Sequence, residues 1–149
     1  MILVQKILFL KKVPLFSSMV PSELSQLASI AEEVVVPAGS EIIHQEDHGD
    51  SMFVIVEGEI RIHQDQSDLA CLKSQDYFGE MSILDGEPRS ASATAQTDSL
   101  LLRIKQEDFY FILSKHFEVA LNIIQTLTRR LRRVSLPQSL IEKNSDEKK

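Results

Sequence analysis

Phe78-Gly79-Glu80-Met81-Ser82-Ile83-Leu84-Asp85-Gly86-Glu87-Pro88-Arg89-Ser90-Ala91 is the stretch on which the reading of this chain turns. It lies between two segments of strand character and sets a glycine, an acid, a short apolar turn and an arginine ahead of the second. Gly79 lets the backbone turn sharply or approach another group closely. Met81 to Leu84 are predicted to form one helical turn, whose first N–H groups can face an anion. Arg89 adds a permanently charged planar fork suited to phosphate oxygens. Ser90 supplies a hydroxyl donor to the same anion, and Glu80 an acceptor for sugar hydroxyls. These residue types describe a site for a phosphorylated sugar. The competing reading is a surface loop in which one acid and one base form a weak ion pair.

Around this stretch, short Val- and Ile-rich runs recur between Glu33 and Lys105: Val34–Val36, Ile42–Ile43, Met52–Val56, Ile60–Ile62, Leu69–Leu72, Ala91–Ala95 and Leu100–Ile104. Pro37-Ala38-Gly39, His48-Gly49-Asp50, Glu57-Gly58-Glu59 and Asp76 punctuate them as turns. Short strands at this spacing predict an antiparallel sandwich or barrel. Helical patterns flank them. Leu3 to Leu10 reads as a docking helix, broken by Pro14. A second helix is predicted from Pro21 to Glu32, with Leu24, Leu27, Ala28 and Ala31 on one face. Phe109, Ile112 and Leu113 mark a short helix with an acidic start. A last helix is predicted from Phe117 to Ser135, with Phe117, Leu121, Ile124, Leu127, Leu131 and Val134 as its apolar seam and Pro137 as its stop. The predicted fold is α+β: an antiparallel β-roll, jelly-roll-like, flanked by N-terminal and C-terminal helices.

The chain has 149 residues, enough for one ordinary domain with its own core. Its 16 Lys and Arg against 22 Asp and Glu leave a net charge of −6, which argues against a general nucleic-acid binder. The longest apolar run, Met52–Val56, is far too short to span a membrane. Lys6, Lys11 and Lys12 interrupt the apolar N-terminus, unlike a signal peptide. The single cysteine, Cys71, fits a reducing compartment and is expected to be a small buried apolar residue. A cytoplasmic location is therefore expected.

Phe-Gly-Glu, a short apolar stretch and Pro-Arg-Ser-Ala together resemble the phosphate-binding cassette of the cyclic nucleotide-binding domain family. Catabolite activators, protein kinase regulatory subunits and cyclic nucleotide-gated channels share that domain. The resemblance runs from about Val13 to Val134; Pro37-x-Gly39, Gly49-Asp50-Ser51-Met52-Phe53 and Gly58-Glu59-Ile60 fall where the family places strand turns. It implies that Arg89 pairs with the exocyclic phosphate oxygens and that Glu80 accepts from the ribose 2′-hydroxyl. Gly79 would permit close approach, and N–H groups near Met81, Ser82 and Ser90 would complete the anion cradle. Glu46-Asp47 departs from the family's usual Gly-Asp or Gly-Glu, so the loop there is expected to differ. In the family the last helix caps the base; Val134 cannot hydrogen-bond through its side chain, and Ser135 carries over only weakly. Ser90 after the arginine is compatible with either cyclic AMP or cyclic GMP, and cyclic AMP is the expected ligand. Residues 1–12 are expected to form the docking helix, 13–136 the binding domain and 137–149 a disordered tail.

The basic run Arg129-Arg130-Leu131-Arg132-Arg133 reads as a solvated helix face, with contact to a base or to a phosphate-bearing partner as the alternative. The near-heptad seam covers the roll or packs on a partner, including a second copy of the chain. His44, His48, His63 and His116 do not follow the histidine spacing of a metal-binding cupin and read as scattered loop residues. Phosphate-loop and nucleophile-elbow motifs are missing. The expectation is a non-enzymatic sensor domain that signals through its C-terminal helix, either alone or within a larger parent protein. With few residues after that helix, no DNA-binding domain is expected in this chain. The alternative is a ligand-free structural or interaction module on the same fold.

Overall fold

A computed structural model describes residues 1–135, the side chain of Ser135 excepted. The Ser135 assignment, the Pro137 stop and the tail from 137 to 149 fall outside the described residues. The chain runs α1 (Leu3–Lys12), a 3-10 turn (Pro14–Phe16), α2 (Pro21–Ile30), β1 (Glu32–Val36), β2 (Glu41–Ile43), β3 (Ser51–Glu57), β4 (Ile60–Gln64), β5 (Ser67–Leu72), β6 (Tyr77–Phe78), α3 (Glu80–Asp85), β7 (Ser92–Ala95), β8 (Ser99–Lys105), α4 (Gln106–Lys115) and α5 (Phe117–Ser135). The strands make two four-stranded sheets, ordered β1-β8-β3-β6 and β2-β7-β4-β5, antiparallel throughout. This is the β-roll with flanking helices that the strand spacing predicts.

The uninterrupted apolar run of β3 follows from its place between two layers. Met52 and Val54 face the helical side, in one core with Leu10, Phe16, Leu24, Leu27, Ile83, Leu102, Ile104, Phe109 and Val119. Phe53 and Ile55 alternate into the roll, with Val36, Ile43, Ile60, Phe78, Ala93 and Leu101. Both faces of β3 are therefore dry, and an alternating pattern is not required. Phe53 and Phe78 stack inside the roll with ring centroids 5.3 Å apart.

Three readings need correction, and one strand, β6, is additional to those expected. α2 ends at Ile30, because Ala31 is already extended (φ −75°, ψ 121°) and Glu32 opens β1. β6 is two residues long, too short to show a period, and its strand character comes from pairing with Phe53 and Val54. Cys71 is exposed, with its thiol 3.3 Å from Gln96 Oε1. It sits on β5, the edge strand of its sheet, where Leu69 is 54% exposed as well. His63 is no loop residue: it is buried on β4, with Nε2 2.9 Å from Thr94 Oγ1.

The predicted seam of α5 turns mostly outward. Phe117, Ile124 and Val134 are exposed, and the helix buries Val119 and Ile123 instead. Its sequence carries two apolar stripes, and only the narrower one meets the body. His116, the joint between α4 and α5, pairs with Glu23 of α2 through Nδ1 at 2.5 Å. The other oxygen of Glu23 accepts the Val20 N–H at the start of α2.

Gly58 turns the chain from β3 to β4 at φ +106°. A Cβ there would stand 2.1 Å from Ser99 Oγ and 2.9 Å from the Ser99 Cα. Gly58→Ala is expected to cost roughly 1–3 kcal/mol of stability. Urea unfolding checks this, and an unchanged midpoint would contradict it.

Candidate functional site

A cavity of about 580 Å³ opens between the second sheet, α3 and α5. Six of the predicted site residues line it: Gly79, Glu80, Met81, Ser82, Arg89 and Ser90. Ile62 of β4 and Leu69 and Leu72 of β5 form an apolar wall, and Arg130 and Arg133 of α5 stand at its mouth.

The local fold explains this convergence. Gly79 takes the left-handed conformation (φ 88°) and starts α3, and Gly86 (φ 72°) ends it. The predicted turn at Met81 to Leu84 is thus a six-residue helix from Glu80 to Asp85. Its first N–H groups lie outside the helix's own ladder. Ser82 is buried, whereas Met81 and Ser90 are exposed at the cavity.

Arg89 is buried at 7% exposure. Its Nη1 donates to the Gly79 carbonyl at 2.6 Å and its Nη2 to the Ser51 carbonyl at 2.7 Å. Two of its five N–H donors are used in this way. Its main chain is also held: the Arg89 N–H donates to Asp47 O at 2.7 Å, and the Glu46 N–H donates to Arg89 O at 2.9 Å. The departure at Glu46-Asp47 is therefore an anchor for Arg89, with Glu46 in the left-handed region at φ 79°. Gly49 completes the seat. A Cβ there would fall 2.2 Å from the guanidinium carbon, so only glycine leaves room for the side chain.

Glu80 lies inside the cavity with its side chain 7% exposed. Burial pushes its carboxyl above the usual range, against the opposing pull of its own backbone N–H, Arg130 and Arg89. Arg130 Nη1 is 3.9 Å from Glu80 Oε1. Burial lowers the Arg89 pKa from its ordinary value, and Asp50 and Glu80 oppose that shift. The Tyr77 phenol, hydrogen-bonded to Thr126 of α5, is pushed up by burial and by the Glu80 charge. The Tyr110 hydroxyl of α4 donates to the Ile83 carbonyl, joining α4 to α3.

One buried cation and one buried carboxylate thus face a common space, with hydroxyl and N–H donors beside the cation. The pair is not a surface ion pair, which disposes of the competing reading. Gly49 and Arg130 join the site without a distinctive signal in the sequence. Gly49 reads there as a strand turn, and Arg130 is one of four similar arginines. Among the described residues no group of three or more His, Cys, Asp or Glu is placed to hold a metal ion. Among the same residues no helix is long and apolar enough to cross a membrane.

The model of the cyclic nucleotide-binding domain matches residues 33–116. The chain belongs to that family. It is 34% identical over 137 residues to the cyclic AMP receptor protein of Thermus thermophilus, an alignment covering 89% of this chain and 63% of the relative. It is 36% identical over 107 residues to a cAMP-dependent protein kinase regulatory subunit of Aspergillus niger, covering 70% of this chain and 26% of that protein. The crystal structure of Thermus thermophilus catabolite activator protein superposes with a TM-score of 0.76 at 34% identity, over 87% of this chain and 63% of the other. The chain therefore spans less than two thirds of these relatives.

The raised Glu80 carboxyl has a consequence for stability. The folded protein holds this proton more tightly than the unfolded chain does. Glu80 therefore favours the fold at low pH, and that contribution is lost as pH rises through the raised folded value. Glu80→Gln removes the charge and keeps the shape. The melting temperature of the variant, relative to the original chain, is expected to climb between pH 4 and pH 7.5 in ligand-free thermal scans. A difference independent of pH would contradict the burial of an ionised Glu80.

Proposed function

We propose that this chain is a sensor domain that binds a cyclic mononucleotide, cyclic AMP in the first instance, without consuming it. The single observation behind this reading is the convergence of buried Arg89 and buried Glu80 on one cavity. Arg89, with the hydroxyls of Ser82 and Ser90 and the first N–H groups of α3, takes the cyclic phosphate. Glu80 accepts from the ribose 2′-hydroxyl, with Gly79 allowing close approach. The base lies toward Ile62, Leu69 and Leu72. The names of the relatives support cyclic AMP.

The output is α5. Phosphate capture draws α3 inward, and α3 meets α4 through the Tyr110–Ile83 hydrogen bond and the shared core of Ile83, Phe109 and Ile112. The ligand shifts α5 only by its differential affinity for the two positions. We place the domain in the cytoplasm, as a regulatory part rather than an enzyme. The outward face of α5, with Phe117 and Ile124 seven residues apart, is read as a docking face for a second copy of the chain.

Titration calorimetry with cyclic AMP tests the site. Hydrogen bonds to charged groups are worth about 1.5–3 kcal/mol each, so Arg89→Ala is expected to weaken binding roughly tenfold to more than a hundredfold. Equal affinity in the variant would refute the assignment. Sedimentation velocity tests the docking face: a concentration-dependent dimer is expected and Ile124→Glu should abolish it. A monomer at all concentrations would refute that face.

A further inference from the structure

The cavity has more cationic groups than the phosphate needs. Besides Arg89 at its closed end, Arg130 and Arg133, three residues apart on α5, stand at its mouth. Residues at that spacing share one helix face. The two partners of the Arg130–Glu80 pair differ sharply in setting: the Arg130 side chain is 59% exposed and the Glu80 side chain 7%. A charge on the moving helix therefore reaches over one fixed inside the cassette. The charged and titratable groups facing Glu80 are Arg89 from the loop ahead of β7, Tyr77 from β6, and Arg130 from α5, with Arg133 beside it on the cavity wall.

An ionised Glu80 is an acceptor only, the form suited to a sugar hydroxyl. A neutral Glu80 carries a proton of its own and competes for the donor role. Burial favours the neutral form, and Arg130 and Arg89 oppose it. Arg89 is committed to two backbone carbonyls. Arg130 is the cation with freedom to approach. At 3.9 Å the pair is loose in the open cavity. A ligand that displaces water lowers the local dielectric and strengthens the attraction.

We infer that Arg130 is a positioning residue: from α5 it holds Glu80 as an acceptor for the ligand's hydroxyl, and by closing on Glu80 when the cavity fills it couples occupancy to α5. This inference rests on the sensor reading and assigns the coupling to one side chain. A solvated face does not require Arg130 to point inward. The basic run of α5 is thus divided, with Arg130 and Arg133 turned to the cavity.

Two measurements on the full chain test it. The first is the titration of the Glu80 carboxyl by carbon-13 NMR without ligand, in the original chain, Arg130→Ala and Arg130→Lys. The second is calorimetry with cyclic AMP across a pH series in the same three proteins. Arg130→Ala is expected to move the Glu80 midpoint to higher pH. It should weaken binding about threefold to tenfold near neutral pH and shift the loss of affinity on acidification upward by the same interval. Arg130→Lys keeps the charge and should recover most of both effects. An unmoved midpoint would overturn the inference, whether or not affinity falls, because Arg130 would then not act through Glu80. A moved midpoint with unchanged affinity would also overturn it. If the original chain binds no cyclic AMP or cyclic GMP while the midpoint still moves, the sensor reading falls and the electrostatic pairing stands.

Discussion

The site depends on one immobilised guanidinium. Arg89 is fixed by the carbonyls of Gly79 and Ser51, and its main chain by hydrogen bonds with Glu46 and Asp47. Gly49 and Gly79 leave the space it occupies. Burying a cation is costly unless it is paired or hydrogen-bonded, and here backbone dipoles meet that cost before any ligand arrives. The side chain is therefore ordered in advance, and on the proposed reading a phosphate pairing with it would lose little to ordering.

The rest of the fold serves this placement. Sheet β1-β8-β3-β6 is packed between the helices and the roll interior, so β3 and its Ser51 carbonyl are held from both faces. The short helix α3 carries Glu80 to the cavity and turns Ile83 into the helical core. Through that core, and through Tyr110, the cassette is mechanically continuous with α4 and α5. The Glu23–His116 pair ties the joint of α4 and α5 back to the N-terminal helices. Packed contacts thus run without a break from α3 to α5.

Much of this was legible in the sequence because it rests on local rules. Apolar runs between glycine and proline turns marked seven of the eight strands, and the order of glycine, acid and arginine marked the cassette. What stayed hidden depends on tertiary context. β6 exists only through its partner β3. Whether Cys71 is covered depends on the place of β5 at the edge of its sheet. Two apolar stripes on α5 have similar periods, and only docking decides which is buried. Gly49 reads as a turn until Arg89 is seen against it. Arg130 differs from Arg129 and Arg132 only in the face it occupies.

The most direct test of the central claim is a crystal structure of the chain grown with cyclic AMP. The cyclic phosphate should lie within hydrogen-bonding distance of the Arg89 guanidinium, and the ribose 2′-hydroxyl within that distance of the Glu80 carboxylate. A nucleotide bound elsewhere, or one in this cavity with its phosphate turned away from Arg89, would contradict it.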